Sequence, residues 1–152
     1  MSVQEENKAL LQRAYEQIFN QGNLDQIEDF FSTDLVDHEA PPPGMEGLEG
    51  IEVLRQFVKV SRDAFPDLQF TAEDMIAEGD KVAARYTMRG THQGEFMGVA
   101  PTGNRLEVAG IDIVRFEGGK MTEHWANSDE LGMMQQLGVI PEPEQPGQPE
   151  PT

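Results

Sequence analysis

The sequence contains no cysteine and few basic side chains, 11 against 28 acidic ones. Without thiols, disulfides, zinc–thiolate sites, iron–sulfur clusters and a cysteine nucleophile are excluded. A chain without cysteine suits a reducing compartment, so we expect a cytoplasmic protein. The formal charge of -17 repels phosphate backbones and anionic lipid at long range. We therefore expect neither nucleic acid nor a membrane surface as a partner.

Long apolar runs are also missing. Nowhere do about 18 consecutive apolar residues occur, and the chain does not open with a basic segment followed by an apolar run. These absences predict a protein that neither spans a membrane nor carries an export signal. A length of 152 residues is typical of a single domain that folds around one core.

Motifs of several common enzyme classes are absent as well. The sequence has no GxSxG, no phosphate-binding GxxxxGKS/T, no GxGxxG and no HExxH. The three histidines, His38, His92 and His124, lie on separate predicted elements rather than at the spacing of metal ligands. We therefore predict no metal and no organic cofactor.

The first half of the chain repeats apolar residues at helical spacing. A short second helix after Asn23 is predicted to continue through Phe31. The prolines at 41–43 exclude regular structure and predict a stiff loop. A third helix is predicted over residues 47–64, ending before Pro66. The inward residues of the first helix are Leu11, Ala14, Tyr15, Ile18 and Phe19.

After Pro66 the apolar period changes from helical to alternating. Because helices come first and hairpins second, we predict an α+β fold, with helices covering a curved antiparallel sheet. A short helix closes the domain, which spans residues 1–140. The acidic, proline-rich segment 141–152 has almost nothing apolar to bury and is predicted to be a disordered tail. The predicted strands cover residues 68–76, 82–90, 105–116 and 121–126.

Asp112 is the sharpest candidate for chemistry because it interrupts an apolar strand between two isoleucines. Strand alternation places it on the same face as Val108 and Val114. Burying an unpaired carboxylate is costly, so Asp112 either faces a pocket or pairs with a partner such as Arg85. A carboxylate in a desolvated pocket is suited to act as a general acid or base near neutral pH.

Two histidines and two aromatic residues are further candidates, each with a structural alternative. His92 either transfers protons or merely fixes the loop after the second strand, and His38 lies at a pocket mouth or simply on a surface loop. Trp125 alternates with His124, so one of the two faces a pocket while the other meets a helix or a partner subunit. Tyr15 needs a polar partner for its hydroxyl if it is buried.

An ordered set of motifs runs through the second half: GTHxGEFxGxxPTG from Gly90, RFxxGKxxExW from Arg115, DxxG from Asp129 and QLG from Gln136. This set resembles the SnoaL-like polyketide cyclase, or ester cyclase, family over nearly the whole chain apart from the tail. The resemblance implies the cone-shaped fold shared with nuclear transport factor and ketosteroid isomerase. It also implies a homodimer with a ligand cavity between the sheet and the helices.

The resemblance carries implications for the site. Characterised cyclases of this family close a ring in a polyketide ester by intramolecular aldol condensation, using a carboxylate and no metal or organic cofactor. In this sequence the position of their key aspartate holds Ala126, and Asp112 stands where they have a histidine. His92 matches the loop histidine of the family. The resemblance therefore implies either an acid that moved to the neighbouring strand or a loss of activity.

Three functions follow as hypotheses. The first is an acid/base cyclase, isomerase or hydrolase acting on a small apolar carbonyl compound, with Asp112 transferring protons, His92 assisting as an electrophile and Arg85 orienting the substrate or the carboxylate. The second is a binding protein with the same cavity and no chemistry, which Ala126 supports. The third is a dimeric accessory module that recruits another protein. Further residues predicted to contact the small molecule are Tyr15, His38, Phe96, Met97 and Trp125.

Overall fold

The computed structural model describes residues 2–141, so nearly all of the tail predicted over residues 141–152 lies outside the described residues. In chain order the elements are α1 (Val3–Ala14), a π-helical turn (Tyr15–Asn20), a 3-10 turn (Leu24–Gln26), α2 (Ile27–Phe30), β1 (Phe31–Asp37), α3 (Ile51–Ala64), β2 (Gln69–Glu78), β3 (Lys81–Thr91), β4 (Arg105–Glu117), β5 (Lys120–Ser128) and α4 (Glu130–Gln136). The predicted α+β class is confirmed. No helix among the described residues is both long and apolar enough to cross a membrane.

The helices begin and end where local chemistry directs them. The Ser2 hydroxyl accepts a hydrogen bond from the Glu5 amide at 3.1 Å and caps α1. The inward stripe predicted for this helix is buried at Leu11, Ala14, Tyr15 and Ile18, while Phe19 is half-buried. The helix continues as the π-helical turn, which starts at Tyr15. Such turns are rare and occur frequently at functional sites.

The third helix begins later than its periodicity predicts. It starts at Ile51 rather than near residue 47, because Gly50 has a positive φ of 59° and lies against the Thr33 carbonyl oxygen. A Cβ at position 50 would overlap that oxygen, so only glycine fits there. The end of the helix at Ala64 agrees with the prediction.

Five strands form one sheet in the order β1-β5-β4-β3-β2. The four predicted strands are confirmed, and their neighbours in the sheet are antiparallel to one another. Strand β1 was not predicted, because Phe30 and Phe31 continue the apolar spacing of the second helix. That helix ends at Phe30, and Phe31 begins β1, which runs parallel to β5. The sheet is therefore mixed rather than wholly antiparallel.

The two faces of the sheet differ sharply in burial, as β4 shows. Residues at even positions of this strand are buried, and those at odd positions are exposed except for half-buried Arg115. We call the buried side, which α1 covers at β2 and β3, the inner face, and the opposite side the outer face. The inner-face residues of β4 are Leu106, Val108, Gly110, Asp112, Val114 and Phe116.

Candidate functional site

Asp112 is a charged residue on the inner face, and only 8% of its surface is exposed. Both of its carboxylate oxygens accept hydrogen bonds. The Tyr15 hydroxyl donates to Oδ2 at 2.5 Å, and Nε2 of His124 donates to Oδ1 at 2.8 Å. Hydrogen bonds to an ionised acceptor are about twice as strong as neutral ones, so these two donors offset the cost of burying the charge.

His124 lies between two carboxylates. Its Nδ1 is 3.3 Å from Oδ2 of Asp37, while Nε2 bonds to Asp112. Burial alone would lower the pKa of His124, but the hydrogen bonds and negative charges of Asp112 and Asp37 outweigh it and raise that pKa to about 10. Partial desolvation raises the pKa of the exposed Asp37 carboxyl, but the hydrogen bond and charge of His124 outweigh it and lower that pKa. At neutral pH His124 is therefore an imidazolium with both ring nitrogens donating.

Two tyrosines, Tyr15 and Tyr86, lie near Asp112 on the inner face. Burial and the nearby negative charge of Asp112 raise the pKa of the Tyr15 hydroxyl far above its ordinary value, and the pKa of Tyr86 is raised for the same two reasons. Both hydroxyls therefore remain protonated and can donate hydrogen bonds throughout the physiological range. Gly110 lies directly opposite Tyr86, and a Cβ there would overlap the Tyr86 hydroxyl. Glycine at this position thus leaves room for the ring beside Asp112.

Glu39 supplies a third carboxylate, beside Asp37 and His124. Glu39 has a raised pKa, caused first by burial, which the charge of His124 partly offsets. Ligand atoms of Asp37, Glu39 and His124 lie within 4.8 Å of one another, close enough to share a cation. A metal would have to displace the proton on Nδ1 of His124 that already bridges to Asp37. The positive charge of His124 thus partly compensates the carboxylates of the cluster.

The Tyr15 ring, whose hydroxyl bonds to Asp112, packs among other aromatic side chains. The Tyr15 ring centroid is 6.1 Å from that of Phe70 and 6.3 Å from that of Tyr86, and Phe19 packs at 4.9 Å from Phe70. Surface depressions of about 460 Å³, beside Arg89 and Gln136, and about 530 Å³, on the outer face, lie away from this cluster.

Comparison with known proteins places this arrangement in a family. The family model of SnoaL-like polyketide cyclases matches residues 9–137. The chain belongs to the SnoaL-like polyketide cyclase family. The resemblance noted in the sequence motifs is therefore confirmed.

Individual relatives agree with this family. The SnoaL-like chain is 31% identical over 123 residues to aklanonic acid methyl ester cyclase AcmA of Streptomyces galilaeus, a match covering 79% of the chain and 83% of that relative. It is 28% identical over 121 residues to nogalonic acid methyl ester cyclase of Streptomyces nogalater, covering 79% and 89%. Among solved structures, AclR of Streptomyces galilaeus, a proposed hydroxylase, superposes with a TM-score of 0.79 at 34% identity, covering 93% and 87%.

Arg85 does not pair with Asp112 in this SnoaL-like domain, which corrects one expectation. Its partner in the β3–β4 register is Ile111, so it projects from the outer face and is exposed. In the sheet, Asp112 lies opposite Ala84 of β3 on one side and opposite Ala126 of β5 on the other. The cation that faces Asp112 is His124, whose inward direction depends on the register of β4 with β5.

His92 lies far from Asp112, so the two do not act together, contrary to the sequence-based hypothesis. Ala84 lies opposite Asp112 in the sheet, and His92 follows Ala84 by eight residues. At the rise of a strand, eight residues span roughly 25 Å. The ring is fully buried beside Phe65, and its Nδ1 accepts from the Thr102 amide at 3.2 Å. Because Nδ1 is the acceptor, the ring is neutral with its proton on Nε2. His92 anchors the loop, the structural alternative considered above.

Phe96 and Met97 belong to that same distant loop. Phe96 is buried with its ring 5.1 Å from Phe65, and Met97 is exposed with a positive φ of 51°. Neither is brought to Asp112 by the fold.

Trp125 and His38 lie together on the outer side of the sheet. Trp125 pairs with outward-facing Ile113, and the His38 ring stacks on it with centroids 4.7 Å apart. The Lys81 ammonium sits 5.2 Å from the centre of the Trp125 ring. Nε2 of His38 also bonds to Glu123 at 2.8 Å. The structure thus brings Tyr15 to Asp112 but places the other predicted site residues elsewhere.

Proposed function

We propose that this chain catalyses an intramolecular aldol cyclisation of a small polyketide ester, with Asp112 as the proton-transfer group. The observation that carries the proposal is the buried Asp112 carboxylate held between the Tyr15 hydroxyl and His124. The names of the relatives support the substrate class, since AcmA is a cyclase of aklanonic acid methyl ester and the Streptomyces nogalater enzyme a cyclase of nogalonic acid methyl ester. A cytoplasmic location fits a chain that has no cysteine.

The reaction needs no net proton exchange with solvent. Asp112 takes a proton from the carbon next to a substrate carbonyl, and the electron pair of that C–H bond forms the enolate. The Tyr15 hydroxyl turns from Asp112 to donate to the enolate oxygen. The enolate carbon then attacks a second carbonyl of the same molecule, which forms the new C–C bond and an alkoxide. Protonated Asp112 returns its proton to that alkoxide.

The substrate is proposed to bind between the π-helical turn and the inner face. The lining there is apolar and aromatic, with Phe19 and Phe70 half-buried beside Tyr15. These rings pack against one another, so binding at this place requires them to separate. An apolar enclosure strengthens the interactions of Asp112 and holds the flexible polyketide in a folded conformation.

The test is direct cyclisation of aklanonic acid methyl ester or nogalonic acid methyl ester by the purified chain, followed by chromatography and mass spectrometry. Ring closure leaves the mass unchanged and alters the retention time. We expect Asp112→Asn to lower the rate by at least about 10²-fold, the lower range for loss of a general base. The matched control is Asp74→Asn on β2, an exposed aspartate that lies opposite Arg85 of β3 in the sheet. Turnover of both esters by Asp112→Asn at the wild-type rate would remove Asp112 from the reaction.

A non-catalytic binding protein is the second candidate. It is favoured by Ala126, where the family resemblance places the acid, and by the engagement of both Asp112 oxygens. Native mass spectrometry of the chain purified from cells distinguishes the two. A bound apolar compound recovered unchanged after incubation supports binding without chemistry, whereas a cyclised product supports the enzyme.

We also propose that the chain forms a homodimer through the outer face. A row of apolar residues crosses four strands there, and Ile76 and Ile113 are 68% and 38% exposed. Neighbouring Ile111 is 51% exposed. Contiguous exposed apolar surface of this kind marks interaction sites. The residues of the row are Ile76, Ala83, Ile113 and Trp125.

A further inference from the structure

One imidazole joins three strands at the candidate site. Asp37 closes β1 and pairs with His124 in the parallel register of β1 and β5. His124 in turn reaches across to Asp112 on β4, at 2.8 Å. Asp37 at the end of β1 is the residue whose carboxylate contacts Nδ1 of His124, at 3.3 Å. The first strand thus supplies a residue to a site otherwise built from the second half of the chain.

We propose that Asp37 and His124 are positioning residues: Asp37 holds the His124 ring with both N–H groups donating, and the resulting imidazolium keeps Asp112 ionised and fixed in direction. The inference rests on the proposed role of Asp112 in proton transfer. Neither residue needs to touch the substrate. Their effect reaches the reaction only through the Asp112 carboxylate.

With both flanking carboxyl groups ionised, the geometry requires the charged ring. A neutral imidazole carries one N–H and one lone pair, so it can donate to only one of two flanking carboxylates. The other carboxylate would then face the lone pair, at 2.8 Å from Asp112 or 3.3 Å from Asp37. An imidazolium donates to both and compensates one of their two charges. The raised pKa of His124, which hydrogen bonds and charges from both aspartates produce against burial, agrees with this reading.

The other titratable groups near the His124 ring are acidic or neutral. Glu39 interacts with His124 and adds negative charge from the segment after β1, and Glu130 at the start of α4 interacts with Glu39. Tyr15 and Tyr86 face Asp112 as neutral hydroxyls from the π-helical turn and from β3. No described lysine or arginine forms an ion pair with Asp37 or Asp112. The surroundings therefore favour the protonated ring.

The arrangement explains how an aspartate with both oxygens engaged can still serve as a base. The bond from His124 to Oδ1 is anchored by Asp37 and persists, whereas the Tyr15 hydroxyl on Oδ2 can rotate toward a substrate oxygen. Oδ2 is then the atom freed to accept the substrate proton. Loss of Asp37 releases the anchor, and His124 becomes free to lose its proton or turn away.

Nuclear magnetic resonance of the ring nitrogens tests this in the full-length chain without any substrate. Long-range proton–nitrogen spectra separate the signals of the three imidazoles, so the titration of His124 can be followed on its own. We expect both nitrogens of His124 to stay protonated across neutral pH. In Asp37→Asn we expect the His124 titration midpoint to fall by at least about one pH unit. Asp34→Asn, an exposed aspartate on the same strand, is the matched control and should leave that midpoint unchanged.

Two results would overturn the inference. One is a wild-type His124 that titrates near the ordinary histidine value of about 6.5, which can be read even if the variant does not fold. The other is an unchanged midpoint in folded Asp37→Asn. Because turnover is not measured, either failure is distinct from failure of the proposed cyclisation, which the Asp112→Asn assay decides.

Discussion

Asp112 on β4 lies directly opposite Ala126 on β5 in the antiparallel register. Directly opposed residues have Cβ atoms about 5 Å apart and point to the same face. The family resemblance places the aspartate of characterised cyclases at Ala126. A carboxylate at Asp112 therefore serves the same part of the inner face from the neighbouring strand. This relationship favours a displaced acid over a lost one.

Replacing Tyr15 with phenylalanine removes the donor to Oδ2 of Asp112 while keeping the ring. We expect cyclisation to slow by about 10²- to 10³-fold, the range for loss of one preorganised donor to an oxyanion. The free energy of unfolding should also fall by about 1.5–3 kcal/mol, because a hydrogen bond to a charged group is lost. Kinetics and urea unfolding of the same samples measure both effects.

Tyr86→Phe is the informative comparison. Its ring also lies on the inner face near Asp112, but no hydrogen bond joins its hydroxyl to that carboxylate. We expect a smaller loss of rate than in Tyr15→Phe. Equal losses in the two variants would argue that ring packing, rather than donation by Tyr15, supports the reaction.

Protonation of His124 predicts how stability depends on pH. Its folded pKa of about 10 lies above the unfolded value of about 6.5. The stability it contributes is therefore fully present below about pH 6.5 and is lost as pH rises toward 10, with a limiting slope of about 1.4 kcal/mol per pH unit. Denaturant unfolding at several pH values measures this slope.

The histidine variant supplies the control for this dependence. In His124→Gln the loss of stability between neutral pH and the folded His124 pKa should become shallower, because the group that binds the extra proton is absent. The raised pKa values of Tyr15 and Tyr86 affect stability only above their ordinary value of about 10, so they do not mimic the effect. An unchanged slope in the variant would assign the pH dependence to other groups.

A charge on the outer face should dissociate the proposed dimer. Ile113→Glu places a carboxylate in the middle of the apolar row, where burial in an interface without a partner is costly. Analytical ultracentrifugation should report twice 16.9 kDa for the wild type and the single mass for the variant. Leu131→Glu, an exposed apolar residue on α4, should remain dimeric. A monomeric wild type at the concentrations used for activity would refute the dimer.

The placement of Asp112 could be predicted from sequence, but its partners could not. Strict alternation along β4 is a local pattern, and it correctly put Asp112 with Val108 and Val114. The choice between His124 and Trp125 depends on the register of β4 with β5, which shifts between Arg115 and Phe116. A shift of one residue reverses which side chains face inward. Local periodicity carries no information about that shift.

Asp37 was missed for a different reason. The apolar spacing of the second helix runs into β1 without a break, and the prolines after His38 made the segment resemble a loop. Strand β1 exists because it pairs in parallel with β5, a contact across more than 80 residues of sequence. Such pairing is dictated by the completed sheet, so the carboxylate that anchors His124 became visible only in the fold.

Exchanging the acid between strands tests whether its position or its identity matters. Asp112→His alone should abolish cyclisation, because the carboxylate hydrogen-bonded to Tyr15 is removed. Adding Ala126→Asp recreates the arrangement that the family resemblance implies, with a histidine on β4 and an aspartate opposite it on β5. We expect the double variant to recover at least about tenfold in rate over the single one, roughly 1.4 kcal/mol of transition-state stabilisation. Ala126→Asp in the wild-type background should instead destabilise the fold, because it sets two carboxylates against each other. A double variant as inactive as Asp112→His, yet folded, would show that the carboxylate must come from β4 with its partners His124 and Asp37 in place.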